Sequence, residues 1–167
     1  NNLLDLHHSE EGKMHYEFQK LELNKLLKDI AEGFQIVARQ RNLDLIFEPS
    51  PSEVYVSGDI YKLSQVFQNL IDNAMKYTEK GWIKISVKDE EAALVVISDS
   101  GRGMSQDLAK RLFQKFSRGV EDTKAYGSGL GLYISKEIVG AHQGKIWVES
   151  EGEGKGSKFF VRLSKIS

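Results

Sequence analysis

The chain has 167 residues, 40% of them hydrophobic, with 23 Lys and Arg set against 24 Asp and Glu for a net charge of −1. That composition suits one compact domain with its own core, and it excludes a global field favouring nucleic acid or a membrane surface. The absence of cysteine excludes disulfides, thiolate metal sites and cysteine nucleophiles, and no apolar run approaches the roughly 18 residues that cross a bilayer.

In chain order, "NNLLDLHHSEEGK" (residues 1–13) reads as the end of an amphipathic helix whose beginning lies upstream, so a piece of a longer protein is expected. "LELNKLLKDIAEGFQIVARQR" places Leu23, Leu26, Leu27, Ile30, Phe34, Val37 and Ala38 on one helical stripe. "LDLIFEPSP" and "EVYVSG" predict two short strands around a proline-marked turn. A second helix is expected from an N-cap at Asp59 to about Tyr77, with Gly81 beyond it as a stop. "WIKISVKD" alternates with period two and "ALVVISD" is continuously apolar, which predicts adjacent strands joined at "EEA". After a short helical patch around "DLAKRLFQKF", a third main helix covers "LGLYISKEIVGAHQG". "KIWVES" and "SKFFVRLS" close the chain as two strands around the glycine-rich "EGEGKG". The fold class is α+β: a two-layer sandwich of a mixed, mostly antiparallel sheet against three helices.

Three stretches carry chemistry. On the second helix, Ile60, Leu63, Phe67, Leu70, Ile71 and Ala74 share a greasy face, while Asn69, Asn73 and Lys76 line up on another. A solvated surface would account for such polar residues. The spacing also suits a magnesium–polyphosphate, because magnesium takes oxygen ligands while keeping several waters, and a neutral carboxamide adds no charge beside a triphosphate.

In "ISDSGRGM" an apolar strand ends at Asp99 and runs into Gly101 and Gly103. A carboxylate there can accept from an exocyclic amine such as that of adenine, and glycines allow close backbone approach; a tight turn with an Asx-type bond is the plain alternative. In "YGSGLGLYI", Gly127, Gly129 and Gly131 open a helix whose positive end can face phosphate. Between these two stretches lie Lys110, Arg111, Lys115, Arg118 and Lys124, either a cationic lid or a solvated charged helix.

Taken in order, "NLIDNAMKYT", "DSGRGM", "LFQKFSRG" and "GSGLGL" resemble the N box, first glycine box, F box and second glycine box of sensor histidine kinases, in the GHKL ATPase group with the Bergerat fold. The resemblance runs from about Leu3 to Leu163, since "LLDLHHSEEGK" is similar to that family's exit from its dimerisation helices. It implies that residues 1–13 end the preceding dimerisation helix and that 14–167 form a catalytic ATP-binding domain.

The resemblance further implies Asn73 as magnesium ligand, Asn69 as a supporting contact to metal or phosphate, Lys76 on the phosphates and Tyr77 along the adenine or ribose. Asp99 would read the adenine amine, with Gly101 and Gly103 shaping its pocket. Phe113 and Phe116 would anchor the lid. Arg118 would approach the terminal phosphate, with Lys115 nearby. Gly127, Ser128, Gly129 and Gly131 would cradle phosphates above Leu130 and Leu132.

ATP and Mg2+ are thus the implied cofactors. The implied partners are the protein's own dimerisation helices and a response regulator, with no nucleic acid. A monomeric fragment and a cytoplasmic location are expected, whether or not the whole protein is anchored in a membrane. Hydrolytic relatives carry a glutamate where Asn69 stands, so transfer is favoured over hydrolysis. No His-Glu phosphoacceptor motif is present: His7, His8 and His15 do not match it, and His142 ends the third helix, where a dipole contact is expected. A nucleotide-responsive binding module and a hydrolytic GHKL-type ATPase are the rival readings.

Overall fold

A computed structural model describes residues 15–114 and 130–167. Eleven elements follow one another among these residues: β1 (Gln19–Glu22), α1 (Leu23–Gln40), β2 (Leu43–Glu48), β3 (Tyr55–Gly58), α2 (Ile60–Tyr77), β4 (Gly81–Asp89), β5 (Ala93–Asp99), α3 (Gln106–Arg111), α4 (Leu130–Ala141), β6 (Lys145–Glu149) and β7 (Ser157–Leu163). Five strands form one sheet in the order β2-β4-β5-β7-β6. Only β2 and β4 run parallel; β4–β5, β5–β7 and β6–β7 are antiparallel. The architecture is therefore the expected α+β sandwich with a mixed, mostly antiparallel sheet.

Both strands around the proline turn are present as expected, and one further strand was not foreseen. The residues around the proline turn do not form a hairpin: β2 joins the main sheet, while β3 pairs with β1 in a separate two-stranded ribbon. Pro49 and Pro51 lack the amide donors that a ladder needs, and Asn24 clamps the turn away from pairing. Its Nδ2 donates to the Ser50 and Ser52 carbonyls at 3.1 and 3.0 Å, and its Oδ1 accepts from the Ser50 amide at 2.9 Å. The strand β1 is the unforeseen one, and it takes Leu21 and Glu22 from the start of the stretch read as helical. Glu22 ends it and caps α1, accepting from the Asn24 and Lys25 amides and from the Val54 amide across the ribbon. On α1 itself Val37 is exposed, and Ala38 is buried in the last turn.

Helices α1, α2 and α4 cover one face of the sheet. Period-two alternation puts Ile83, Ile85 and Val87 of β4, Val95 and Ile97 of β5, and Phe159, Val161 and Leu163 of β7 in the core beneath them. Leu63, Phe67, Leu70, Ile71 and Ala74 of α2 are buried as their spacing predicted; Ile60 packs only partly, and Val66 and Met75 join the core.

Asp59 caps α2, its Oδ1 accepting from the Tyr61 and Lys62 amides at 3.0 Å each and its Oδ2 from Glu17 at 2.8 Å. Burial would raise the Asp59 carboxyl's affinity for a proton. The amides of Glu17, Lys62 and Tyr61 outweigh that and hold its pKa below the ordinary value. The Asp59 amide in turn donates to His142 Nε2 at 3.0 Å, while His142 Nδ1 lies 2.7 Å from the Ile138 carbonyl. So His142 makes the contact to the end of α4 expected from its position and, beyond that, is a buried joint to the start of α2. Both ring nitrogens are engaged.

Candidate functional site

Asp99 is the last residue of β5 and continues the row of Val95 and Ile97, so a carboxylate stands at the end of a buried apolar strand face. Its Oδ1 accepts from the Gly101 amide at 2.8 Å. Burial pushes its pKa up from the ordinary 3.8 to about 6, against the opposing pull of the Gly101 and Ser157 amides and the Thr78 hydroxyl. Thr78 is wholly buried, and its hydroxyl lies close enough to favour the charged carboxylate without making a hydrogen bond of good geometry. The strand end thus holds an acceptor poised between its charged and neutral forms, next to an unsatisfied hydroxyl. Sequence reasoning passed over Thr78; its place directly after the α2 helix was the available signal.

The two glycines after Asp99 are required by backbone packing. A Cβ on Gly101 would lie 2.4 Å from the Tyr77 carbonyl oxygen and 2.7 Å from Thr78 Oγ1. Gly103 has φ +65°, and a Cβ there would meet the Gly152 carbonyl at 2.2 Å. Their smallness lets the turn wedge between the end of α2 and the β6–β7 connection. That connection is tied back to the turn: the Gly156 amide donates to Gly101 O at 3.1 Å, and the Met104 amide to Ser150 Oγ at 3.2 Å.

On α2, Asn69 and Asn73 are half-buried and Lys76 is exposed. Asn69 Nδ2 donates to Ser135 Oγ at 3.3 Å and to the Gly131 carbonyl at 3.4 Å, reaching the first turns of α4. The Asn73 carboxamide has no hydrogen-bond partner among the described residues. Lys76 Nζ lies 3.2 Å from Asp72 one turn back, an exposed pair that costs little to open. Tyr77 is buried, with the Arg102 guanidinium 5.8 Å from its ring centre. Leu130 and Leu132 are buried in the first turn of α4. Phe113 packs edge-on against Phe159 of β7, ring centres 6.1 Å apart.

The structure thus brings Asn69, Asn73, Tyr77, Asp99, Gly101 and Gly131 around the α2–α4 seam and the end of β5. Lys115, Phe116, Arg118, Lys124, Gly127, Ser128 and Gly129 lie outside the described residues. A separate cavity of about 670 Å³, lined by Trp82, Ser98, Ser100 and Lys158 among others, touches Asp99 but none of the α2 asparagines.

Among the described residues no cluster of three or more His, Cys, Asp or Glu could enclose a metal by itself. The free Asn73 oxygen fits a magnesium ion of another kind, one that keeps waters and phosphate oxygens as its remaining ligands.

Residues 58–166 match the family profile described as histidine kinase-, DNA gyrase B-, and HSP90-like ATPase. The chain is 39% identical over 159 residues to the methyl sulfide methyltransferase-associated sensor of Methanosarcina acetivorans, covering 92% of this chain and 16% of that protein. It is 34% identical over 168 residues to the sensor histidine kinase TmoS of Ectopseudomonas mendocina, covering 98% of this chain and 17% of that one. The chain therefore spans about a sixth of the length of these curated relatives. The catalytic domain of histidine kinase ThkA is 31% identical with a TM-score of 0.78, over 89% of this chain and 98% of that one. Full-length ShkA in complex with AMPPNP superposes with a TM-score of 0.88 over 100% of this chain and 35% of that one; at 23% identity this likeness speaks for the fold.

Proposed function

The chain belongs to the histidine kinase-, DNA gyrase B- and HSP90-like ATPase family as a histidine kinase catalytic domain, and from that premise we propose that it binds Mg-ATP and presents the γ-phosphate to a histidine on another domain. The observation that carries the reading is the Asn73 carboxamide, unpartnered among the described residues, one helical turn from Asn69 and on the same helix whose end abuts Asp99.

In this reading Asp99 accepts from the adenine amine, most strongly in its charged form, and the Gly101 amide on Oδ1 orients the carboxylate. Tyr77 closes the wall beside the base. Asn73 supplies an oxygen for magnesium, with Asn69 in support, and the ion would neutralise triphosphate charge when bound. Lys76 leaves its exposed pair with Asp72 to meet phosphate. Arg118 and Lys115 supply cations to the terminal phosphates, and Gly127, Ser128, Gly129 and Gly131 line the polyphosphate over Leu130 and Leu132. Residues 14–167 are the binding domain.

Asn69 cannot take a proton from water as a carboxylate would, which favours transfer over hydrolysis. The purified chain is expected to turn over ATP more slowly than about one per second, below an ordinary enzyme. The dimerisation helices of the same protein supply the acceptor histidine, and a response regulator receives the phosphoryl group. Among the described residues no helix is long and apolar enough to cross a membrane.

The test is calorimetric titration of ATP, with and without magnesium, against the wild type and Asn73→Asp. A carboxylate beside the triphosphate should weaken magnesium-dependent binding by at least about tenfold, on the order of one close charge repulsion. Equal affinity in the two proteins would overturn the assignment of the metal-side residue.

A further inference from the structure

An α-helix leaves its last four carbonyls without partners inside the helix. At the end of α2, those of Met75 and Tyr77 and the carbonyl of the C-cap Thr78 are held from outside. Arg41, which caps α1, lies 34 residues before Met75, and its Nη1 donates to the Met75 carbonyl. Its Nη2 donates to the Thr78 carbonyl at 3.1 Å. Between these, the Tyr77 carbonyl takes the Arg102 amide at 3.0 Å. The backbone that carries the guanidinium is anchored, because the Arg41 amide bonds the Val37 and Ala38 carbonyls at 3.1 and 3.2 Å.

This bridged turn is the surface on which the Asp99 loop rests. A Cβ on Gly101 would stand 2.4 Å from the Tyr77 oxygen, so the two backbones are in direct contact. Asn73 belongs to the same last turn and a half of α2. The spacing between Asn73 and Asp99 is therefore set across a contact whose helix side is braced by the Arg41 side chain on both flanks of the Tyr77 carbonyl.

We propose that Arg41 is a positioning residue of the nucleotide site, fixing the end of α2 so that the phosphate side and the base-reading side keep their register. This rests on the reading of Asp99 as the adenine acceptor. A planar fork spans two carbonyls, and a lysine ammonium reaches them only as a point charge, so the arrangement is specific to arginine. A positive charge at a helix C-terminus also complements its dipole, a purely structural benefit that any test must separate out.

The experiment compares wild type, Arg41→Met, Arg41→Lys and Asn24→Ala by thermal unfolding and by titration with ATP, GTP and magnesium tripolyphosphate. Asn24→Ala loosens the clamp on residues 50–52 and serves as a destabilised control. Arg41→Met should cut the preference for ATP over GTP by about fivefold or more while tripolyphosphate affinity moves by less than about twofold. Arg41→Lys should recover the melting temperature better than the base preference, and Asn24→Ala should lower the melting temperature with the preference intact.

An Arg41→Met protein that melts earlier yet keeps the ATP preference makes Arg41 a structural cap and overturns the inference. Should Arg41→Met not fold, an unchanged preference in Arg41→Lys overturns it equally. A wild type that does not distinguish ATP from GTP removes the Asp99 reading, and this inference with it; a preference present in wild type and retained in the variants removes only the role of Arg41.

Discussion

The Asn69 carboxamide donates to the buried Ser135 hydroxyl, 3.3 Å away across the seam between α2 and α4. The same NH2 group reaches the Gly131 carbonyl at 3.4 Å, so the nitrogen side of the carboxamide faces α4 and the oxygen is left on the opposite side. Both bonds are at the long end of the useful range, and each contributes modestly. Their value is orientation. Ser135→Ala is expected to cost about 1 kcal/mol of stability or less while weakening Mg-ATP binding severalfold. Thermal unfolding alongside titration checks this; unchanged nucleotide affinity would show that Asn69 needs no such support.

Asp99 predicts two opposite pH effects. Its folded pKa, raised from 3.8 to about 6, means the native state holds a proton that the unfolded chain has already lost. The associated stability is fully present below about pH 4 and is lost as pH rises through 6. At neutral pH the buried charge therefore costs the empty domain up to about 3 kcal/mol, taking roughly 1.4 kcal/mol per pKa unit. Asp99→Asn should raise the melting temperature at pH 7.5, with the gain shrinking towards pH 4. Nucleotide affinity of the wild type should fall as pH drops through about 6, where the carboxylate is protonated. A variant less stable than wild type at pH 7.5 would contradict the burial cost.

Much of this could be read from residue order. Asp59 announced the start of α2, and the apolar run ending at Asp99 announced a central strand and where it ends. Failures came where the deciding contact is distant. Gln19–Glu22 holds one buried residue, Leu21, and merges into a helical pattern, so the strand is visible only through its pairing with Tyr55–Gly58. Strand β2 was foreseen as a strand, but its parallel partner lies beyond α2, and nothing local gives that pairing. Ser135 and Arg41 act over 66 and 34 residues, and their types alone give no hint of the carbonyls and carboxamide they meet. The glycines after Asp99 were singled out for ligand approach, and within the fold they also stand against protein carbonyls.

That packing separates a glycine that must remain from one that need not. Gly103 combines φ +65° with the Gly152 carbonyl 2.2 Å from any added Cβ, so Gly103→Ala meets both strain and collision. A loss of about 2 kcal/mol or more is expected, as for other incompatible backbone substitutions. Gly33, inside α1, has open space around it. Gly33→Ala should stabilise the domain by up to about 1 kcal/mol through helix propensity. Denaturant unfolding of both variants gives the comparison, and equal effects would refute the packing argument.

His142 offers the last test, because its two ring nitrogens are already engaged with the Asp59 amide and the Ile138 carbonyl. Phosphorylating either nitrogen would break one of those bonds and put a dianion among Tyr16 and Phe18, whose rings lie edge-on at 5.6 and 4.9 Å. The ring should therefore remain unlabelled when the chain is incubated with radiolabelled Mg-ATP, and His142→Leu should leave any label on the protein unchanged. The same substitution removes the acceptor of a buried amide and should cost about 1–3 kcal/mol. Because Asp59 caps the helix that carries Asn69 and Asn73, the loss should appear as fraying at the start of α2, read by faster amide exchange at Tyr61 and Lys62. Acid-labile label that disappears in His142→Leu would instead make this joint an acceptor.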